Sequence, residues 1–448
     1  MSAPASLPNG PGPDSGAAAR AMLTLDEALA RLVDGTRAHA ITATESVSTF
    51  DALGRVLAED VRSALDVPPA DNTSMDGYAL RAADVPAAGV ELVVAQRIPA
   101  GVVGRPLAPG SAARIFTGAQ VPPGADAVVM QEQCAALAGP EGAGGLGRVR
   151  IDHVPAPGQW IRRRGEDVMQ GAVVLERGMR LTPQAQGMAA SVGAGRLTVL
   201  RRPRVAVFST GDELRMPGEP LAPGAIYNSN RYTLRGLLQA AGCDVQDFGI
   251  VPDRLDATRD ALRRAAAGND LIVTSGGVSV GEEDHLRPAV MAEGRIENWQ
   301  IAMKPGKPLA FGAVRRAAAA SGAGARGATV ADAGEALFVG LPGNPVSSFV
   351  TFVLCVSTVL RALQGMATAL PRPLPLAAAF DWPRPDKRRE FVRARLDEAG
   401  GVELFANQSS GVLTSAVWAD GLVDIAAGST IRRGERVRYL PLSELVGR

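Results

Sequence analysis

The feature of this sequence that most constrains its fold is an alternation of strand-like and helix-like segments after Arg204. "RVAVFST", "DVQDFGIV" and "DLIVTSGG" are apolar strand-like runs, and "NRYTLRGLLQAAG" and "ATRDALRRAAAG" between them have helical periodicity and stop at glycines. Strands joined through helices by short links form parallel sheets with right-handed crossovers. We therefore predict a central doubly wound parallel α/β domain, with its ligand at the carboxyl ends of the strands.

The segments on either side of this domain are typical of β structure. Residues 47–200 and 371–448 contain short β-like runs separated by glycine and proline. Before them, "TLDEALARLVDG" is an amphipathic helix in which Thr24 and Glu27 are spaced as a capping box. We expect a multidomain α/β plus β protein with a β-rich N-terminal half and a small C-terminal β-barrel.

Several segments bear on where the protein works. Residues 1–20 are rich in Pro, Gly, Ala and Ser and predict a flexible tail, and residues 317–334 predict a disordered insertion. The longest apolar run, "FVTFVLCVSTVL", is shorter than the roughly 20 residues that a bilayer span needs. It predicts a buried helix, and we expect a cytoplasmic protein with no membrane partner.

Charge and cysteine content exclude some classes of site. The 47 basic and 46 acidic side chains give a net charge of +1, which argues against a surface that holds nucleic acid. The three cysteines and three histidines are scattered and form no CxxC pair, so a disulfide framework or a thiolate or histidine metal site is not expected. Any metal should be a hard ion held by oxygen.

Acidic segments follow each of the predicted parallel strands. "STGDEL" supplies Asp212 and Glu213, "IVPDR" supplies Asp253, and the glycine-rich "SGGVSVGEED" ends with Asp284. Because the carboxyl ends of parallel strands share one edge of a sheet, these carboxylates should converge there. Together with anion-binding glycine turns they favour a magnesium ion between protein carboxylates and a ligand phosphate. Each acid alone could instead cap a helix or face water.

Two further motifs are expected at the same edge. In "LPGNPVSSF", Asn344 stands at the N-cap and Pro345 at the first helical position, so the positive end of the helix and Ser347 could hold an oxyanion. Three of the 47 basic residues are lysines, and two of them, Lys304 and Lys307, lie in "KPGKP". This suggests a position that needs a compact ammonium group. The alternatives are an ordinary capped buried helix and a chance pairing of the lysines.

Eight motifs, taken in order, closely resemble the molybdopterin molybdenumtransferase family, which includes the gephyrin E domain and the plant cofactor-synthesis E domain. They are "DNTSMDGYA", "FTGA", "RRRGEDV", "STGDEL", "YNSNR", "SGGVSVGEED", "MKPGKP" and "GLPGNPVS", and the resemblance runs from about Leu23 to the C-terminus. It implies a homodimer of elongated subunits. It also implies a tail at 1–21 followed by four domains: a discontinuous linker domain at 22–68 and 160–200, an inserted β domain at 69–159, a molybdopterin-binding α/β domain at 201–366 and a C-terminal β-barrel at 367–448.

The same resemblance implies a reaction. Molybdate is inserted into adenylylated molybdopterin and AMP is released, with Mg²⁺ as the cofactor. Possible partners are a molybdopterin adenylyltransferase and an apo-molybdoenzyme. Three alternatives stay open, namely a molybdopterin adenylyltransferase, a gephyrin-like scaffold or binding protein, and tungstate as the substrate in place of molybdate. The β-rich N-terminal half argues against the first, and the acids and lysines argue against the second.

The resemblance also implies functional residues, position by position. The catalytic set is Asp76, Thr117, Asp167, Glu213, Asp253, Asp284 and Lys304. The cofactor-binding set is Ser275, Gly276, Gly277, Ser279, Lys307, Pro342, Gly343, Asn344, Pro345 and Ser347.

The expected roles divide these residues into three groups. Glu213, Asp253 and Asp284 would hold the metal and the pyrophosphate. Lys304, Lys307 and Ser347 would hold oxygens of molybdate or phosphate, and Ser275 would join them. Asp76, Thr117 and Asp167 would come from the partner subunit.

One position departs from the family pattern. Gln300 stands where bacterial relatives often carry a lysine, and Arg388 or Arg389 could supply the missing positive charge.

Overall fold

The structure is a computed structural model that describes residues 22–138, 145–277, 285–316 and 334–446. It divides into two compact units. The smaller unit is Thr42–Arg201, and the larger unit combines the chain before residue 42 with the chain from residue 202 onward. The predicted tail at 1–21 and residues 317–333 of the predicted insertion lie outside the described residues.

Strands are more numerous than helices in the described residues. The helices are α1 (Leu25–Arg37), α2 (Pro183–Ser191), α3 (Ser229–Ala240), α4 (Leu255–Ala266), α5 (Leu286–Glu293), α6 (Pro345–Thr351), α7 (Ser357–Leu363), α8 (Thr414–Trp418) and α9 (Leu442–Val446). The strands are β1 (Thr44–Ser48), β2 (Val61–Arg62), β3 (Asn72–Thr73), β4 (Gly77–Leu80), β5 (Val90–Ile98), β6 (Ser111–Ile115), β7 (Ala127–Met130), β8 (Cys134–Leu137), β9 (Arg148–Ile151), β10 (Ile161–Arg162), β11 (Val173–Leu175), β12 (Arg196–Leu200), β13 (Arg204–Thr210), β14 (Leu214–Arg215), β15 (Ile226–Tyr227), β16 (Asp244–Val251), β17 (Leu271–Ser275), β18 (Gly294–Gln300), β19 (Met303–Lys304), β20 (Pro308–Arg315), β21 (Glu335–Leu341), β22 (Leu374–Ala377), β23 (Arg389–Leu396), β24 (Val402–Leu404), β25 (Gly421–Ile425) and β26 (Arg436–Pro441).

The central sheet of the larger unit has the strand order β16-β13-β17-β21-β20-β18. The first four strands are parallel, whereas β20 is antiparallel to both of its neighbours. The three strands that the sequence predicted to be parallel, β13, β16 and β17, are parallel, but the sheet as a whole is mixed. The reason is the connection between β18 and β20, which spans residues 301–307 alone and is shorter than the dozen or so residues that a parallel crossover needs.

Both faces of this sheet are buried. Val205 and Val207 of β13 pack in one core with Leu234 of α3, whereas Phe208 packs in a second core with Leu262 of α4. Strands that are covered on both faces read as continuous apolar runs, which is the pattern seen in the sequence.

A long apolar helix crosses the first of these cores. Helices α6 and α7 are joined by the π-helical segment Phe352–Val356, and the whole spans Pro345–Leu363. By length and composition it could cross a membrane, but 89% of its apolar window is buried inside the protein. Helix α1, which begins with the predicted capping box of Thr24 and Glu27, packs in the same core. The predicted buried helix is thus present, and it is longer than the apolar run indicated.

The C-terminal sheet has the order β19-β23-β25-β26-β22, and β24 pairs with β23. Its first strand, β19, carries Lys304 and comes from the "KPGKP" segment. An isolated bridge joins Ala378, which follows β22, to Val402, the first residue of β24. The closed barrel stays a prediction.

The smaller unit is built on antiparallel and mixed pairing. Its largest sheet has the order β7-β4-β6-β5-β9-β8. Three two-stranded sheets join β1 to β12, β2 to β11 and β3 to β10. The last of these brings the segment before Asp76 next to the segment before Asp167. The predicted domain boundaries stay predictions.

Candidate functional site

A cleft of about 1000 Å³ opens where the parallel strands of the larger unit end. Thr210 and Ser275, the last residues of β13 and β17, line it, as does Pro342 after β21. This is the edge at which parallel sheets place their ligands.

Most of the residues that the sequence singled out in the larger unit line this cleft. They are Glu213, Asp253, Ser275, Gly276, Gly277, Lys304, Lys307, Pro342, Gly343, Asn344, Pro345 and Ser347. Ser279 and Asp284 lie outside the described residues. Asp76, Thr117 and Asp167 belong to the smaller unit.

Glycine turns form part of the cleft wall. At Gly211 (φ +146°), a Cβ atom would lie 2.5 Å from Oε2 of Glu213, so the carboxylate folds back against bare backbone. At Gly276 (φ +89°), a Cβ atom would lie 3.1 Å from the carbonyl oxygen of Thr210. Because both positions favour glycine, the wall exposes backbone to which a ligand can come close.

Among the described residues, Glu213 and Asp253 are the two carboxylates that line the cleft. The backbone N–H of Asp253 donates to Oδ1 of Asp212 at 3.3 Å, which ties together the segments after β13 and β16. Within residues 22–138, 145–277, 285–316 and 334–446, no group of three His, Cys, Asp or Glu side chains is arranged to hold a metal. Mg²⁺ commonly uses one or two carboxylates together with substrate phosphate oxygens and water, so the pair fits that ion.

The two lysines of the cleft have different surroundings. Lys304 Nζ lies 2.8 Å from Oε1 of Glu390 and 3.5 Å from Oδ2 of Asp386. Glu390 is buried and also accepts a hydrogen bond from Nε1 of Trp382 at 3.0 Å. Lys307 is exposed and forms no ion pair with any residue that the structure describes. Of the two lysines that line the cleft, it is therefore the one without a carboxylate partner among the residues described.

Arg388 adds a third cationic group to the cleft lining. Its guanidinium donates to both carboxylate oxygens of Asp386, at 3.1 and 2.9 Å, and holds the pKa of that carboxyl far below its usual range. Arg389 instead pairs with Asp424 at 2.6 Å. Of the two arginines considered as substitutes for a lysine at Gln300, Arg388 is the one in the cleft. Gln300 itself ends β18 and is exposed.

The connection between β24 and α8 supplies a wall that the sequence did not indicate. Residues 408–411 line the cleft, and the carbonyl of Ser410 accepts a hydrogen bond from Val346 N–H at 3.0 Å. Pro345 takes the first helical position as predicted, but the Asn344 side chain makes no capping hydrogen bond. One N–H group of the helix start is therefore already used by the protein.

Two asparagines of "YNSNR" were also missed as individual site residues. Asn230 Nδ2 donates to the carbonyl of Gly343 at 2.7 Å and holds the loop before α6. Asn228 caps α3 by accepting a hydrogen bond from Arg231 N–H. Both line the cleft. The signal for Asn228 was its N-cap position before an amphipathic helix.

In the smaller unit, Asp76 and Thr117 form one hydrogen-bonded pair. Oδ1 of Asp76 accepts from the backbone N–H of Thr117 at 2.8 Å and from its hydroxyl at 2.6 Å. These bonds favour the charged carboxylate and lower the pKa of Asp76. Asp167 lies exposed in the segment after β10.

We predict that Thr117→Val raises the pKa of Asp76, because the hydroxyl bond to the carboxylate is lost while the backbone bond remains. A group whose pKa is depressed loses its charge as the pH falls, so the variant should protonate Asp76 at a higher pH than the wild type does. Carbon-13 NMR of the aspartate carboxyls would measure the change. Thr117→Ser retains a hydroxyl and serves as the control, and an unchanged pKa in Thr117→Val would contradict the assignment of that bond.

Comparisons with known proteins were consistent along the chain. Models described as "MoeA N-terminal region (domain I and II)", "Probable molybdopterin binding domain" and "MoeA C-terminal region (domain IV)" match residues 23–193, 206–362 and 375–442. A Haemophilus influenzae protein named molybdopterin molybdenumtransferase is 36% identical over 433 residues, which cover 95% of this chain and 100% of that protein. A Mycobacterium tuberculosis protein named molybdopterin molybdenumtransferase 2 is 39% identical over 398 residues, 85% of this chain and 90% of that protein.

Solved structures give the same result for the fold. The crystal structure of the molybdopterin biosynthesis moeA protein from Pyrococcus horikoshii OT3 is 30% identical, with a TM-score of 0.76, and covers 94% of this chain and 99% of its own. A Pyrococcus furiosus protein titled as a molybdenum cofactor biosynthesis protein is 18% identical, with a TM-score of 0.55 and the same coverage, and supports the fold alone.

Proposed function

This chain belongs to the molybdopterin molybdenumtransferase family, and from that premise we propose that it inserts molybdate into adenylylated molybdopterin and releases AMP. Membership makes it a transferase of molybdenum cofactor biosynthesis. The adenylylated substrate, the release of AMP and the use of Mg²⁺ are our proposals.

One observation supports this reaction above the others. In the part of the chain that the structure describes, the same cleft contains two carboxylates, three cationic groups and a wall of glycine turns. A nucleotide-linked pterin substrate carries a pyrophosphate, and molybdate is a second anion. Cations and backbone N–H groups can bind both, while the carboxylates can hold a divalent cation between them.

The residues have distinct roles in this proposal. Glu213 and Asp253 would hold Mg²⁺, which when bound offsets the negative charge of the pyrophosphate oxygens. Lys307 and Ser347 would hold oxygens of molybdate or phosphate. Lys304 would be kept in place by Glu390, since that carboxylate is itself fixed by Trp382.

The decisive experiment uses purified protein, adenylylated molybdopterin, molybdate and Mg²⁺. We expect AMP to be released only when molybdate and Mg²⁺ are both present, and the product to activate an apo-molybdoenzyme. Tungstate in place of molybdate would compare the two oxyanions. Absence of AMP release under all of these conditions would refute the proposed reaction.

Lys307→Arg should lower kcat/KM by about tenfold, although the net charge does not change. A planar guanidinium cannot present a point charge with the same geometry as an ammonium group. Steady-state kinetics over a range of molybdate concentrations would measure the effect. Lys387→Arg, the same change at the third lysine of the chain, is the control and should leave turnover unchanged. Wild-type kinetics in Lys307→Arg would remove the special role of this lysine.

We also propose a homodimer in which Asp76, Thr117 and Asp167 act on the site of the other subunit. Asp76→Ala and Lys304→Ala should each be inactive, but heterodimers formed by mixing them contain one intact site. If the mixture recovers about a quarter of wild-type activity, the two residues act from different subunits. If it stays inactive although heterodimers form, they belong to one subunit.

A further inference from the structure

A chain of hydrogen bonds runs from helix α3 to the cleft through three buried side chains. Asn228 Oδ1 accepts from Arg231 N–H at 3.1 Å and contacts the Ser209 hydroxyl at 3.4 Å. The Ser209 hydroxyl in turn lies 3.2 Å from the Ser275 hydroxyl. Asn228, Ser209 and Ser275 are 2%, 1% and 3% exposed, so bulk water is not available to rearrange these bonds.

The helix cap fixes the direction of the whole chain. Because Oδ1 of Asn228 faces the Arg231 N–H, the amide cannot be turned around without setting two donors against each other. Ser209 must therefore donate to Asn228, since Oδ1 can only accept. If Ser209 instead donated its single proton to Ser275, lone pairs of Ser209 Oγ and Asn228 Oδ1 would face each other at 3.4 Å. In a buried site such an unpaired contact destabilises the folded protein.

It follows that the Ser275 hydroxyl proton is already used. Either hydroxyl could donate in the 3.2 Å contact between them, and we assign the donor to Ser275 because Ser209 uses its own proton toward Asn228. Ser275 then offers lone pairs to the cleft that it lines. A hydroxyl in this state cannot donate to an oxyanion. To hold an oxygen of molybdate or phosphate as expected, Ser275 would have to give up its bond to Ser209.

We infer that Ser275 is an acceptor that binds a hydroxyl or amino group of the ligand and so helps to set specificity for the organic part of the substrate. This inference rests on the proposed function. An adenylylated pterin offers such donors in three places: the sugar hydroxyls of the adenylyl group, the amino group of its adenine base and the amino group of the pterin ring. Asn228 Nδ2, which has no hydrogen-bond partner among the residues described, adds an unused donor to the same wall.

Isothermal titration calorimetry on the full-length protein tests the inference with four probes: AMP, its 2′,3′-dideoxy analogue, unsubstituted pterin and molybdate. In Ser275→Ala we expect affinity for AMP or for pterin to fall about tenfold, while molybdate affinity stays within about twofold. A loss for AMP but not for the dideoxy analogue identifies a sugar hydroxyl as the donor, and an equal loss for both identifies the adenine amino group. A loss for pterin alone identifies the ring amino group.

Ser209→Ala provides a second test, because its expected effect on molybdate affinity is opposite to the effect of structural damage. The change removes the acceptor of the Ser275 proton, which then becomes free to donate into the cleft. We expect molybdate affinity to rise by about threefold, whereas general damage to the cleft would lower it. Unchanged melting temperatures of both variants would show that they are folded.

The outcomes separate this inference from the proposed function. If Ser275→Ala weakens molybdate binding and leaves both organic probes unaffected, or changes none of the four affinities, Ser275 is not an acceptor for the ligand. If the wild-type protein releases no AMP and binds none of the probes, the proposed function fails and the inference falls with it.

Discussion

Glu213→Gln is expected to lower kcat for AMP release by about a hundredfold or more and to raise the Mg²⁺ concentration needed for half-maximal activity. The amide has nearly the shape of the carboxylate and can still fit against Gly211, so the change removes charge and leaves packing intact. Loss of one anionic oxygen ligand weakens the binding of a hard cation strongly, and with it the stabilisation of charge in the transition state. Initial rates measured across a Mg²⁺ titration would show both effects.

Glu219→Gln is the matched control. It makes the same chemical change six positions along the same connection, at an exposed carboxylate that accepts a hydrogen bond from Met216 N–H at 2.8 Å. We expect wild-type kinetics from it. Should Glu213→Gln retain full activity with an unaltered Mg²⁺ requirement, Glu213 has no part in holding the ion.

Gly306→Ala is expected to lower stability by about 3 kcal/mol and kcat/KM by about a hundredfold. Gly306 lies between the two lysines with φ +104°, and a Cβ atom there would lie 2.3 Å from Oγ1 of Thr351 and 2.8 Å from Cε of Met303. The loop has to move away from the buried helix to relieve this overlap. Both ammonium groups would then leave their positions, so that loss of activity accompanies loss of stability. Thermal unfolding and steady-state kinetics together measure the two effects.

Gly434→Ala separates backbone conformation from steric overlap. This glycine has φ +88° but nothing within 4 Å of the added Cβ, so it should lose some stability without any effect on turnover. If Gly306→Ala behaves like Gly434→Ala, the close approach of the lysine loop to Thr351 does not matter for activity.

Much of the cleft could be predicted from the sequence because the order of strands and helices determines where the residues after each strand lie. Parallel strands end at one edge, so acids and glycines that directly follow them had to meet, and Glu213, Asp253 and Gly276 do line one cleft. The buried apolar helix beginning at Pro345 was recognisable for a similar reason, since its composition and its N-terminal residues are local signals.

The remaining parts depend on contacts between distant segments. The residues of β18 and β20 do not indicate the direction in which these strands pair. Their antiparallel pairing follows from the short connection between them. The partner of Lys304, Glu390, lies on a strand far along the chain, and nothing near "KPGKP" indicates it. The wall at residues 408–411 carries no local motif that marks a binding surface.

Strand β19 belongs to the sequence of the α/β segment but pairs with β23 in the C-terminal sheet. In addition, the carbonyl of Ser410, from the C-terminal part of the chain, accepts a hydrogen bond from Val346 N–H at the start of α6. The boundary at residue 366, at which family resemblance would divide the chain, therefore does not separate two independent modules. A fragment that ended there would keep the glycine turns of the cleft but lose Asp386 and Glu390, which pair with Lys304. Exchange of C-terminal segments between relatives should therefore alter the chemistry of the cleft and not merely its periphery.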